Sequence, residues 1–200
     1  MLQGAAPETA GQQLPEQAVH LGRWLLLIYH VPSEPSSARA AIWRETKRLG
    51  ALSLQHGACL LPLSEANQAA YARLSRRVEE YGGEASVLET SSPTDTWQAK
   101  IVGRFNAARN EEYEEVVDEA ERFREEIARE RRKGKFTFAE QEDEESNLER
   151  LRKYLGQVVA RDAFGAEARI RAVAEVEQCA DLLDAFVEEI FEHQSRLGSA

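Results

Sequence analysis

The sequence predicts an α+β protein: a ferredoxin-like βαββαβ domain followed by a long amphipathic helix and a helical hairpin. Three observations carry that reading. Short apolar runs alternate with helical patterns between residues 24 and 90, in the order strand, helix, strand, strand, helix, strand. Glycines stand where those helices and turns must close. Beyond Ser91-Ser92-Pro93 the pattern changes to apolar residues at steps of three and four, with no further strand signal.

The first strand, residues 24–31, is wholly apolar or aromatic up to His30 and is bounded by Pro32 and Pro35. A helix over about residues 37–49 follows, with Gly50 closing it in a left-handed conformation. Strands at 51–54 and 58–61 flank Gln55-His56-Gly57, a hairpin turn in which Gly57 supplies the positive φ. The second helix starts at Ser64, is expected to bury Ala66, Ala70, Leu74 and Val78, and stops at Gly82-Gly83. A last strand at 85–89 completes the set, which makes an antiparallel four-stranded sheet with both helices on one face.

The helical region, residues 93–195, opens with a stripe of Trp97, Ile101, Phe105 and Ala108. It resumes as Tyr113, Val116, Ala120, Phe123 and Ile127, after a slip near Asn110. This reads as one helix of roughly 35 residues, or two with a kink, ended by Arg131-Arg132-Lys133-Gly134. Residues 136–145 read as a polar connector. A second helix carries Leu148, Leu151, Leu155 and Val158, and a third carries Ile170, Val173, Ala180, Leu183, Val187 and Ile190. Such stripes must pack on each other, on the sheet or on a second subunit.

With 200 residues, 42% apolar and a formal charge of -10, the chain suits one or two small domains with a real core. Residues 1–22 are rich in Gln, Pro, Ala and Gly and lack a charged leader, so they read as a flexible tail. The apolar run of the first strand is far short of the roughly 20 residues a membrane span needs. Cys59 and Cys179 have neither disulfide-framework nor zinc-site spacing, so reduced thiols and a cytoplasmic location are expected. The acidic balance argues against coating nucleic acid with the whole surface and leaves room for a local basic face.

That face is the first helix, where Arg39, Arg44, Lys47 and Arg48 stand against Glu45. Arg44 and Arg48 are one turn apart with Lys47 beside them, while Ile42 and Leu49 point the other way. The face can contact phosphates, or it can be a solvated exterior whose cations gather at the C-terminal end of the helix dipole. Ser36, Ser37 and Arg39 form a second candidate, since a helix start with free N–H groups, hydroxyls and a guanidinium suits an oxyanion. An ordinary serine cap accounts for the same residues. The segment Arg104-Phe-Asn-Ala-Ala-Arg109-Asn-Glu-Glu-Tyr113 reads as a seam in which Phe105 and Tyr113 anchor the helix and Arg109 pairs with a carboxylate. Histidines 20, 30, 56 and 193 have no ligand spacing, and no phosphate loop, nucleophile elbow or carboxylate dyad stands out. No catalytic residue, metal or cofactor is therefore expected, and the chain is not read as an enzyme.

Taken together these segments resemble the amino-terminal domain of the chromate-resistance regulator family, ChrB. The resemblance rests on Trp24-Leu-Leu-Leu-Ile-Tyr29, Pro32-Ser-Glu-Pro-Ser-Ser-Ala-Arg39, Ile42-Trp-Arg-Glu-Thr-Lys-Arg-Leu-Gly-Ala51, Gly57, Leu61-Pro62, and Phe105 through Tyr113. It covers about residues 23–195. It implies a cytoplasmic, chromate-responsive transcriptional regulator or its accessory. Longer members of the family carry a further carboxy-terminal domain, and the chain is expected to be a stand-alone form of the amino-terminal one. The partners expected are DNA, chromate or another oxyanion, and a second copy in a homodimer, without a membrane. An oxyanion-binding module, or a helical interaction module without DNA contact, is the alternative. The βαββαβ unit is also distantly similar to phenylacetate-type repressors and to small CRISPR-associated endoribonucleases. Those nucleases place an aspartate at the end of the first strand. Tyr29-His30-Val31 stands there in this chain, so nuclease activity is not carried over.

Overall fold

The computed structural model describes residues 22–34 and 36–197. The expected tail, Gly22 apart, and Pro35 as a strand-to-helix breaker lie outside the described residues. The chain runs β1 (Arg23–His30), α1 (Ser36–Arg48), β2 (Leu52–Gln55), β3 (Ala58–Pro62), α2 (Glu65–Glu80) and β4 (Glu84–Ser91), then α3 (Asp95–Lys133), α4 (Phe138–Ala160) and α5 (Ala168–Leu197). The sheet has the order β2-β3-β1-β4 and is antiparallel throughout. The α+β class and the βαββαβ order are those the sequence predicts.

The period of two along β1 explains how both faces of the sheet are used. Leu25 and Leu27 point toward α1 and α2 and pack with Ile42, Tyr71, Leu74 and Val78. Trp24 and Leu26 point the other way and meet Leu52, Leu60 and the first turns of α3 through Ile101 and Phe105. Trp24 stacks on Phe105 with ring centroids 5.8 Å apart, and Phe164, from the α4–α5 loop, lies tilted against both. The Trp24 indole N–H donates to Ser92 Oγ at 2.8 Å, so the buried ring keeps its polar group satisfied. The helical half thus begins on the second face of the sheet.

Local chemistry sets the element ends. Ser64 caps α2, its hydroxyl accepting from the Asn67 N–H at 3.2 Å, and Gly134 ends α3 in a left-handed conformation at φ 68°. At the β2–β3 turn only glycine fits, because a Cβ on Gly57 would lie 2.3 Å from the Tyr29 carbonyl oxygen. The Tyr29 N–H donates to the Gly57 carbonyl there at 2.7 Å.

Beyond Phe105, α3 packs with α4 and α5 around a second core that includes Tyr113, Val117, Ile127, Leu151, Val158, Val176, Phe186 and Ile190. With 39 residues, α3 is about 58 Å long and serves both cores. Ion pairs from Arg131 to Glu189 at 2.8 Å and from Arg171 to Glu114 at 3.0 Å fix the register of α3 against α5.

Three expectations need correction. The segment 136–145 is not a connector beyond its first two residues: Thr137 caps α4, accepting from the Glu140 N–H at 3.3 Å, and the helix starts at Phe138. The Thr137-x-x-Glu140 spacing is a capping box that the acidic composition obscured. The buried stripe of α5 is Ala172, Val176, Cys179, Leu183, Phe186 and Ile190, whereas Ile170 is 81% exposed and Val173, Ala180 and Val187 are half-buried. Small Ala172 and Cys179 are fully buried, and the Cys179 thiol reaches the Ala120 carbonyl of α3 at 3.5 Å. Ala66 and Trp97, each expected in a buried stripe, are exposed. Of the two readings of α3, the single helix holds: it is continuous through Asn110, and the missing apolar position is filled by Arg109, which is 6% exposed.

Candidate functional site

Helix α1 lies on the sheet through Ala38, Ile42 and Thr46, which are buried at a spacing of four. That anchoring turns Arg39, Arg44, Lys47 and Arg48 outward, and all four are exposed. Among them only Arg48 is ion-paired within the described residues, meeting Glu45 through both Nη2, at 2.5 Å, and Nε, at 3.3 Å. Lys47 and Arg48 occupy the last turn, where the helix dipole favours cations.

Helix α2 adds residues that the sequence analysis did not single out. Glu45 is held below the ordinary carboxylate range, first by the Arg48 hydrogen bond and then by the charges of Arg48, Arg77 and Arg73. Arg73 and Arg77 are exposed on α2, one turn apart, on the side that approaches α1. The basic surface therefore spans two helices around one neutralised carboxylate. The Arg73-x-x-Arg76-Arg77 spacing is visible in the sequence, but only the packing of α1 beside α2 joins it to the first cluster.

Ser36 and Ser37 open α1 with exposed side chains, and Arg39 follows one turn later, also exposed. Cys59 and Cys179 are both free and buried, and burial pushes each thiol above its ordinary value, which leaves little thiolate to react. No group of three His, Cys, Asp or Glu among the described residues is arranged to hold a metal ion. A groove of about 600 Å³ runs between α3 and α4, with Glu115, Asp118, Glu119 and Glu126 among its walls. Its carboxylates outweigh Arg122 and Arg150, so it does not suit an anion.

The seam between the two halves lies at the C-terminal end of α1. Gly50, at φ 71°, is pressed so closely that a Cβ there would lie 2.7 Å from Arg161 Cβ and 2.9 Å from Arg109 Nη1. Arg109 pairs with Glu112 at 3.1 Å, and Arg161 reaches the other oxygen of the same carboxylate at 2.9 Å. Burial and the Arg161 charge lower the Arg109 pKa, while Glu112 opposes them. Tyr113 donates to Asp162 at 3.1 Å, and Asp162 also accepts from the Ala166 N–H at 3.1 Å. The seam reading of this segment thus matches what the structure places there, with Arg161 as the member that sequence spacing could not supply.

No helix among the described residues is long and apolar enough to cross a membrane. Comparison with known proteins gives two matches. Protein ChrB of Cupriavidus metallidurans is 33% identical over 96 residues, which is 48% of this chain and 29% of that relative's own length. The family described as "Protein ChrB, N-terminal" matches residues 39–197, from the first arginine of the basic helix to the end of α5. A match over that much of the chain shows that it belongs to the ChrB amino-terminal family.

Proposed function

We propose that this chain is a chromate-responsive transcriptional regulator, or the accessory of one, acting in the cytoplasm as a homodimer that grips DNA phosphates. It is a binding protein in this reading, not an enzyme. Membership of the ChrB family supports a role in chromate resistance. The observation that carries the DNA contact is the two-helix basic surface. Arg39, Arg44 and Lys47 stand outward without an ion pair among the described residues, and Arg48, Arg73 and Arg77 gather around Glu45. A chain of net charge -10 that keeps a surface in which cations outnumber carboxylates suits a phosphate backbone. The serine start of α1 supports the oxyanion alternative less, since Ser36, Ser37 and Arg39 are all exposed.

Gel-shift titrations on the chain's own upstream DNA at two salt concentrations test this. Affinity falls with salt, and Arg44→Ala/Arg48→Ala lowers the slope of log K against log salt by about 2, one unit per lost phosphate contact. Arg73→Ala/Arg77→Ala lowers it similarly, and Glu45→Gln tightens binding by removing a carboxylate inside the surface. Unchanged affinity and slope in both arginine pairs would remove the surface from the account.

A further inference from the structure

The two edges of the sheet are built differently. Edge strand β2 is four residues long, its register with β3 shifts between Ser53 and Gln55, and Arg104 of α3 donates to the Ser53 carbonyl at 2.9 Å. Shortness, a bulge and a covering cation are the devices that stop an edge from pairing with another chain. Among the described residues, edge strand β4 has none of them. It runs eight residues in unbroken register with β1, from Arg23 opposite Ser91 to His30 opposite Glu84, and contains no proline or lysine. Its apolar side chains are open on both faces, Val87 at 38% and Leu88 at 49%, with Ile28 of β1 nearby at 46%.

We propose that β4 pairs with β4 of a second copy of this chain, antiparallel about a twofold axis perpendicular to the sheet, to form one eight-stranded sheet. In an antiparallel pair the opposed residues lie on the same face, so the axis must pass through a residue paired with itself. Near the strand centre that residue is Val87 or Leu88. Charge agrees with both registers. With Val87 on the axis, Glu89 faces Ala85 and Glu84 faces Thr90; with Leu88 on the axis, Glu89 faces Val87 and Glu84 faces Ser92. No glutamate opposes a glutamate in either, and Glu89 is neutralised by its ion pair with Arg23. Val87 lies opposite Leu27, on the side of α1 and α2, and Leu88 lies opposite Leu26, on the side of α3. A perpendicular axis keeps like faces together, so the basic helices of both copies lie on one side of the joined sheet.

This inference rests on the homodimer of the proposed function and says where its contact lies. Sedimentation of the full chain without DNA tests it apart from DNA binding. The wild-type chain sediments as a dimer. Val87→Lys/Leu88→Lys sediments as a monomer with unchanged circular dichroism and thermal midpoint, and Leu54→Lys on the β2 edge stays dimeric. In a parallel arm, Val87→Cys or Leu88→Cys forms an intermolecular disulfide under mild oxidation, because a self-paired position lies within disulfide reach and the native thiols are buried. A wild-type monomer, a dimer that the lysine pair leaves intact, or failure of both cysteine variants to cross-link overturns the β4 contact. A monomer that still shifts DNA overturns the contact alone, and a β4 dimer that does not shift DNA overturns the DNA reading alone.

Discussion

The α/β half and the helical half use charge in opposite ways. Residues 22–92 carry eight Lys or Arg against seven Asp or Glu, and residues 93–197 carry 17 against 26. By count the helical half holds more cations. Most of them are spent on partners, as in Arg131 to Glu189, Arg171 to Glu114, Lys133 and Lys135 to Glu130, and Arg161 to Glu112. In the α/β half only Arg23 and Arg48 are ion-paired among the described residues. Partnering, rather than number, separates a surface whose cations stay mostly unpaired among the described residues from a network that holds helices in register. Exposed pairs of the second kind contribute little singly, about 0–1 kcal/mol, so their role is to set register.

The sharpest way to break this contrast is at Arg109, the buried cation of the seam. Arg109→Ala leaves a cavity and unbalances the Glu112 carboxylate shared with Arg161, and should cost about 3 kcal/mol in urea unfolding. A loss below about 1 kcal/mol would show that the seam does not depend on that cation. A smaller effect is expected at Glu144, which is buried in α4 and whose carboxyl burial pushes above its ordinary value of 4.5. The folded state therefore binds a proton more tightly than the unfolded state. Stability from this group is full below the ordinary value and is lost as pH rises through the folded-state pKa. Glu144→Gln should raise Tm by a few degrees at neutral pH, with the gain shrinking toward pH 4.5. A gain that grows on acidification would reverse the assignment. The smallest stability effect belongs to Arg44→Ala/Arg48→Ala, within about 0.5 kcal/mol, because both side chains are exposed and Arg48 loses only a surface pair. A larger loss in thermal unfolding would mean that the basic face is structural.

Much of the fold was legible because it is written in local periods and punctuation. The apolar run of β1, Gly50, Gly57 and Gly134, and the Ser64 cap each act over a few residues, so spacing alone locates them. The misreadings came where a neighbour decides. Arg109 was legible as a cation paired with a carboxylate, Glu112 of its own helix, but its burial beside Gly50 and Arg161 depends on other elements. On α5 the buried face was set by which side meets α3 and α4, and that side carries Ala172 and Cys179 but not Ile170. The α1 part of the basic surface was likewise legible, while Arg73 and Arg77 joined it only through packing.

The sequence by itself therefore determined the order of elements, the outward turn of Arg39, Arg44, Lys47 and Arg48, and the resemblance that the family match bears out. Those are properties of one element at a time, controlled by period and by the residues at its ends. The tertiary structure alone decided that α2 completes the basic surface, that α3 covers the second face of the sheet, and that β2 is a guarded edge while β4 is an open one. These depend on which elements become neighbours. That choice is settled by burial summed over the whole core, which no single segment encodes.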